Sequence, residues 1–516
     1  MSAEFAAPEA RRSESPLMRG AAGVAVLAAG AAIALEATEA ARTEWRGVQP
    51  PSANGWRLPP SSAAGAEAAH VLNRVAFGGR PGDTAAVAEM GPQGWIETQL
   101  AADLPDPGVV ALRTAGLDVL QNAQDAPDAL YGMSDDELVT ETGRAALVRA
   151  IYGANQLREA MADFWTNHFN IYALKNDGRV LIPLDVERVI RPNALGRFDR
   201  LLAATAQSPA MLGYLDNALN RKGVPNENYA RELLELHTVG VNSGYTQRDI
   251  YEVARCFTGW TLRGGWRRGE FVFNRAMHDS GAKASPFLGI TIPAGGGIQD
   301  GRAVLAAAAH HPATAAHIAS ELCIRFLGTP QPVIVRAAAA AYLKSGTDIR
   351  ATLRPILLDG LFMPDAAAPL LKRPLDYVTS ALRATAADTD GGGPIQQGLA
   401  SMGQPLYQWP MPDGFPEKAS AWRSSLLPRW QFAIELCVGG IGGTRLDLNA
   451  LARHATTPEA TADALIGATL GVAPQSEPVA SLRRALVAEL ASPGDEPDSL
   501  GRAAALLLAS PQFQCR

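Results

Sequence analysis

The sequence predicts a mainly α protein: a large multi-helix orthogonal array with a small β-hairpin insertion near residues 271–293. Three observations carry this expectation. Long stretches are rich in Ala, Leu, Arg and Glu, all strong helix formers. Apolar residues recur three and four positions apart in successive segments. The one break in that pattern is a pair of short β-prone runs, Phe271-Val272-Phe273 and Leu288-Gly289-Ile290-Thr291-Ile292.

Composition narrows the function classes. The chain has 516 residues, 47% hydrophobic and 19% charged, which suits a globular body rather than a disordered one. A formal net charge of −6, with no block of five Lys or Arg, argues against a general nucleic-acid binder. Cys256, Cys323, Cys437 and Cys515 form no C-x-x-C pair, so neither a zinc ribbon nor a thioredoxin-like motif is expected. They read as free, buried thiols.

Taken in chain order, residues 1–40 read as an export signal. Arg11, Arg12 and Arg19 precede an uncharged Gly/Ala/Val/Leu/Ile segment from Gly20 to Leu35, too short for a spanning helix. Ala32-Ile33-Ala34 offers a cleavage site, as do positions near Ala37 and Ala40. The Arg11-Arg12 pair resembles a twin-arginine signal, but Ser13, Glu14, Ser15 and Pro16 stand where that signal usually turns apolar. A periplasmic or secreted location is expected, with no stable membrane span once the signal is removed. Residues 41–66, rich in Pro, Ser, Gly and Ala, form a linker. Residues 67–516 read as one large helical region, with a C-terminal subdomain from about 400 as an option. Loop signals fall at 121–137, 261–270, 385–399, 403–420 and 473–497.

Three segments have readable geometry. Leu147, Ile151, Ala154, Leu157, Met161, Phe164, His168 and Ile171 lie three or four apart, so one long helix from about Ala145 to Ile171 is expected, with His168 on its apolar seam. A second helix runs from Pro225 to Val239 and is closed by Gly240. There Ala230, Leu233, Leu234 and His237 share one face, and Glu232 and Glu235 lie opposite. Glu227, Arg231 and Glu235 form i,i+4 steps. Thr246-x-x-Asp249 opens a third helix, to Thr258, with a capping box.

Familiar catalytic signatures are absent: no H-E-x-x-H, P-loop, G-x-S-x-G elbow or C-x-x-C-H. What remains is a scattered set of imidazoles and carboxylates. His168, Glu232, Glu235 and His278 are candidate ligands for a divalent transition metal, since imidazole and carboxylate together suit such an ion. His278, Asp279 and Lys283, in the loop between the β-prone runs, are the candidate catalytic residues. Each has a structural alternative. His168 suits a hydrogen-bonded core position, the Glu227-Arg231-Glu235 series a salt-bridge ladder, and Asp279 a turn that bonds its own backbone. His237 reads as structural and His311-Pro312 as a helix start. His310, His317 and His454 carry no case. Tyr407 to Trp422, aromatic and Pro-rich, suits packing over the helical core better than roofing a cleft.

These segments also carry a family resemblance. Phe164-Trp165-Thr166-Asn167-His168-Phe169, Asn226 to Thr238, Tyr245-Thr246, Phe257-Thr258-Gly259-Trp260 and His278-Asp279 follow in order. Asn73 to Gly78, His311-Pro312, Arg325-Phe326, Met402 to Pro405, Trp422, Arg429 and Ser510 to Phe513 agree. Together they resemble the bacterial family catalogued as domain of unknown function 1800, across roughly residues 67–516. The resemblance implies export but no activity. It also implies a neighbouring gene for a second exported protein, similar to the sulfatase and alkaline-phosphatase superfamily. Two functions compete: a metal-assisted cell-envelope enzyme, hydrolase or oxidase, and a non-catalytic partner or carrier for that co-encoded protein.

Overall fold

Helix boundaries in the structure follow the local capping chemistry. The computed structural model describes residues 63–101, 104, 106–264, 270–452, 455–474, 477–492 and 499–516. The export signal, nearly all of the 41–66 linker and His454 lie outside the described residues. Among those described, 25 α-helices and three two-stranded sheets make the fold mainly α. No described helix is long and apolar enough to cross a membrane. The four cysteines are free thiols.

The expected 145–171 helix is two helices, Asp135–Tyr152 and Gln156–His168. Gly153 ends the first, because a β-carbon there would collide with the Arg149 carbonyl. Asn155 opens the second by accepting from the Arg158 amide at 2.9 Å. The apolar seam continues across the break: Leu147, Ile151, Leu157 and Met161 are all buried. The Pro225–Val239 reading also needs correction. Asn228–Glu232 is α-helical and Leu233–His237 is a single π turn. The Thr246–Asp249 capping box forms in both directions and starts the Gln247–Cys256 helix; such a cap is worth about 1 kcal/mol.

The β-prone runs are strands, but they do not pair with each other. Phe271–Phe273 pairs antiparallel with Trp260–Leu262, and Lys283–Ser285 pairs with Ile290–Ile292. The insertion is therefore two small hairpins in succession.

Among the described residues, two large apolar cores and one small cluster of Ala68, Leu72 and Val87 underlie the array. One core gathers side chains between Val71 and Ala366. The other gathers the helices from Leu375 to Phe513, together with Phe77, Leu147, Ala150, Ile151 and Ala160. The Asp135–Tyr152 helix serves both, with Ala145 in the first core and Leu147 in the second. The seam between the cores is where layers of side chains change partners, and pockets favour such junctions.

Candidate functional site

His278, Asp279 and Lys283 do come together, with Asp300 as a fourth member. His278 follows the Phe271–Phe273 strand after a turn in which Asn274 accepts from the Ala276 amide. Its Nδ1 lies 2.8 Å from the Thr258 carbonyl and its Nε2 3.2 Å from Asp300 Oδ2. Lys283 Nζ donates to the same Asp300 oxygen at 2.7 Å, and to the carbonyls of Gly281 and Asp279. Asp279 takes the alternative turn role, accepting from the Gly281 amide at 2.9 Å. It is also held by Arg255, whose hydrogen bond brings its carboxyl down to about 2. The side chains of His278, Lys283 and Asp300 are at most 2% exposed. This cluster ties both hairpins to the Gln247–Cys256 and Ile298–Ala309 helices. It gives a reactant no approach.

The expected metal set does not assemble. His168 sits among the rings of Phe164, Trp165, Phe169, His237 and His317. Its Nε2 is 3.2 Å from the His237 carbonyl, and His317 Nε2 is 3.2 Å from the Leu236 carbonyl. Burial, then the neighbouring imidazoles, hold His168 well below its ordinary range, so its ring is neutral. Burial likewise brings His237 to about 3. The imidazoles of His168 and His317 thus satisfy the last carbonyls of the π turn, which would otherwise be orphaned. Glu232 and Glu235 face away from them. Burial, then Glu235, raises Glu232; Glu235 pairs with Arg231 at 3.4 Å in the expected ladder. His278 belongs to the separate cluster above. Among the described residues, no three His, Cys, Asp or Glu side chains are grouped to hold an ion. The physical reason is the helix itself: the spacing that put His168 on the seam also turned it away from the carboxylates.

The cavity of interest lies on the other face of the same helix. Asp163, Thr166, Asn167 and Asn170 line a space of about 90 Å³ at the seam of the two cores. Arg149, Glu159 and Arg191 form its charged wall, and Tyr407 and Phe415 close it from the C-terminal loop. The stretch from Tyr407 to Trp422 packs over the helical core as expected, with Tyr407 against the first core and Phe415 and Trp422 buried, and residues 404–415 also roof the cavity. Asn167 exchanges two hydrogen bonds with the Phe415 backbone, at 2.8 and 2.7 Å. Asn170 donates to the carbonyls of Trp409 and Met411 at 3.0 and 2.7 Å, and Tyr214 to that of Pro410 at 2.8 Å. Gly414 turns the chain at φ 69°, where a β-carbon would strike the Asn167 carbonyl.

Every charge in the wall has a partner. Arg149 grips Glu187 with both terminal nitrogens, at 2.5 and 3.0 Å. Glu159 binds Arg158 at 3.0 Å and Arg191 at 2.9 Å, and Asp106 bridges the same two arginines. Asp163 is held through Oδ2 alone, by Arg373 at 2.5 Å, with Arg325 at 3.6 Å. Behind it lies a buried network of Arg325, Arg373, Arg516, Asp376 and Glu417. Burial works to raise the Asp376 carboxyl, yet Arg325, Arg373 and Arg516 hold it well below its usual range.

Three polar groups of the lining have no hydrogen-bond partner among the described residues: the Tyr407 phenol, the Thr166 hydroxyl and Asp163 Oδ1. Burial raises the Tyr407 phenol, with Glu187 adding to it, so it stays protonated and able to donate. Tyr407 also has φ 61°, a left-handed backbone that a bulky residue rarely adopts. Such strain, of order 1–3 kcal/mol, clusters at functional sites. The loop anchors Tyr407 there through its carbonyl, which accepts from the Ala173 amide at 2.9 Å.

The metal and catalytic candidates read from the sequence include none of these cavity residues. The signal was present for the helix: Asp163, Thr166, Asn167 and Asn170 stand at i, i+3, i+4 and i+7, a polar stripe opposite Phe164, Trp165 and His168. Nothing in the sequence marks Tyr407 as left-handed.

The chain belongs to the family described as "Protein of unknown function (DUF1800)", whose profile matches residues 70–515 and so includes the whole cavity. No curated protein and no solved structure matches it.

Proposed function

We propose that this protein binds a small polar molecule in the cavity beneath the 404–415 loop, and that it does so outside the cytoplasm. The observation that carries the reading is the set of unused hydrogen-bonding groups: the Tyr407 phenol, the Thr166 hydroxyl and Asp163 Oδ1 line one space, and none is committed to the protein. All three residues are partly buried, so these oxygens are within reach of whatever enters the space, and a few convergent polar groups in a concave, mostly apolar lining are what fixes a small ligand. Tyr407 adds strain at the same place, which is retained when the surrounding structure over-determines it. The binding reading does not need the metal set, whose members sit in different surroundings.

The test is native mass spectrometry of the protein isolated from its host. The wild-type chain is expected to carry a small-molecule mass that Thr166→Phe, which fills the cavity, loses while its helical circular dichroism is retained. The same adduct on both chains would place the ligand elsewhere. Export rests on the Arg11-Arg12 and Gly20–Leu35 layout. N-terminal sequencing of the same material is expected to begin between residues about 34 and 41.

A second reading, a partner for a co-encoded exported protein, draws on a different observation. Leu219 and Val224 flank the turn at Arg221 and are 59% and 72% exposed. Co-purification of the neighbouring gene product, weakened by Val224→Asp, is the result that reading requires.

A further inference from the structure

We propose that Lys283 and Asp300 condense into an intramolecular amide, a cross-link that closes the second hairpin onto the following helix, with His278 as the acid–base group. The inference stands on the sealed cluster and is independent of the cavity.

The reactants are already in place. Lys283 opens the Lys283–Ser285 strand, and Asp300 lies in the first turn of the Ile298–Ala309 helix, 17 positions on. Nζ lies 2.7 Å from Asp300 Oδ2, and the two side chains are 0% and 1% exposed. A nitrogen bonded to a carboxylate oxygen sits roughly 3.5 Å from its carbon, the reach of a near-attack pair. Nζ also donates to the carbonyls of Asp279 and Gly281. A neutral amine keeps two N–H bonds, one for each carbonyl, and its lone pair is left for the third direction, toward Asp300. The other candidate groups nearby are committed. Asp279 is held by Arg255 through both oxygens, at 2.8 and 3.2 Å. Burial raises the Cys256 thiol to about 12, so it stays protonated. Asp300 Oδ1, in contrast, is buried without a hydrogen-bond partner among the described residues. That is a poor setting for a carboxylate and a milder one for an amide carbonyl.

His278 completes the set. Its Nδ1 lies 2.8 Å from the Thr258 carbonyl, which can only accept, so Nδ1 carries a proton. Nε2 is then the nitrogen that exchanges protons, and it lies 3.2 Å from Asp300 Oδ2, the oxygen that has to leave. The step balances without an oxidant. Lys283 first passes a proton to Oδ2, which removes two charges from a dry site. Nζ then adds to the Asp300 carboxyl carbon. His278 Nε2 takes a proton from the nitrogen and hands it to Oδ2, the bond from carbon to Oδ2 breaks, and one water leaves. Oδ1 stays as the amide oxygen, and His278 ends as it began. The uncondensed chain holds the ion pair, and that form is the reference for substitutions of either partner. The four cysteines are free thiols, so the amide is the covalent clasp that disulfides do not supply, and it restricts the unfolded chain as a disulfide does.

The experiment is mass spectrometry of the full chain, intact after denaturation and as tryptic peptides. The wild-type chain is expected to be lighter than its sequence by one water, with Lys283 uncut by trypsin and a branched peptide joining it to Asp300. Asp300→Asn is expected to release ammonia instead and to reach the same final mass as wild type, since the leaving atoms differ and the bond formed does not. Lys283→Arg keeps the cation and is expected at its full sequence mass. In a time course after cell-free synthesis, His278→Gln is expected to condense about a hundredfold more slowly than wild type. A wild-type chain at its full sequence mass overturns the proposal. So does the loss of one water without a branched peptide, which marks a succinimide at Asp300-Gly301. Equal rates for His278→Gln and wild type overturn the role given to His278.

Discussion

At the His278 cluster, Lys283 commits its ammonium group to Asp300, Gly281 and Asp279, and almost nothing is left over. Beneath the 404–415 loop, Asp163 commits one oxygen to Arg373 and keeps the other free, while Thr166 and Tyr407 keep their hydroxyls. Both regions gather His, Lys, Arg, Asp or Glu at the ends of helices and strands. The first is closed to solvent and satisfied apart from Asp300 Oδ1, which has no partner among the described residues. The second surrounds a space. The difference teaches that residue type alone does not mark a site: what matters is hydrogen-bonding capacity that the fold has not used and a volume in which to use it.

The largest expected effect breaks the sealed region. Asp300→Ala leaves Lys283 buried without its carboxylate, a loss of about 3–5 kcal/mol. Removing both charges together, as Asp300→Leu with Lys283→Met, is expected to recover most of that, because the penalty belongs to the unpaired charge. Urea denaturation measures both. An Asp300→Ala chain within about 1 kcal/mol of wild type would show that the cluster is wet and open, and the contrast with the cavity would lose its basis.

The next effect bears on the roof of the cavity. Gly414→Ala puts a β-carbon against the Asn167 carbonyl at a backbone angle that alanine avoids. A cost of about 1–3 kcal/mol is expected, and it should be local. Hydrogen exchange at the Phe415 amide, which donates to Asn167, is expected to speed up, while the amides of the Gln247–Cys256 helix stay protected. Unchanged exchange at Phe415 would mean that Asn167 does not hold the loop down.

How much of this was legible in the sequence differs between the two regions for a physical reason. The mainly α class followed from periodicity, and the Thr246–Asp249 cap and the Arg231 ladder followed from local spacing. The His278 cluster was half visible: His278, Asp279 and Lys283 lie within six residues, but Asp300 arrives from the next helix by tertiary folding. Even the β-prone runs were visible only as strands, since their pairing partners depend on where the chain turns. The metal set failed because helical period fixes a face and not what that face meets. His168 met the carbonyls that end a π turn, and no sequence rule announced that turn. The cavity needed Tyr407, some 240 positions after Thr166, in a backbone conformation usually left to Gly or Asn. Only the polar stripe Asp163, Thr166, Asn167 and Asn170 was open to inspection, on the face opposite the one that drew the metal reading.

The smallest expected effect is the sharpest test of the comparison. Tyr407 and Tyr377 are both enclosed tyrosines whose phenols burial raises above the ordinary value. Their hydroxyls differ. Tyr377 faces the carbonyls of Arg429 and Leu508, at 3.1 and 3.3 Å, so Tyr377→Phe removes a buried donor and leaves acceptors unmet. That is expected to cost about 1 kcal/mol. The Tyr407 hydroxyl has no partner among the described residues, so Tyr407→Phe should change stability by no more than about 0.5 kcal/mol. The ring and the left-handed backbone stay the same in both forms, so strain and packing cancel and only the oxygen is weighed. Parallel denaturation of the two variants without ligand measures the difference. If Tyr407→Phe costs as much as Tyr377→Phe, the phenol has a partner within the protein, its capacity is not spare, and the cavity becomes a second satisfied cluster like the one at His278. If it costs nothing, the oxygen is held in place, against backbone strain, for something other than stability.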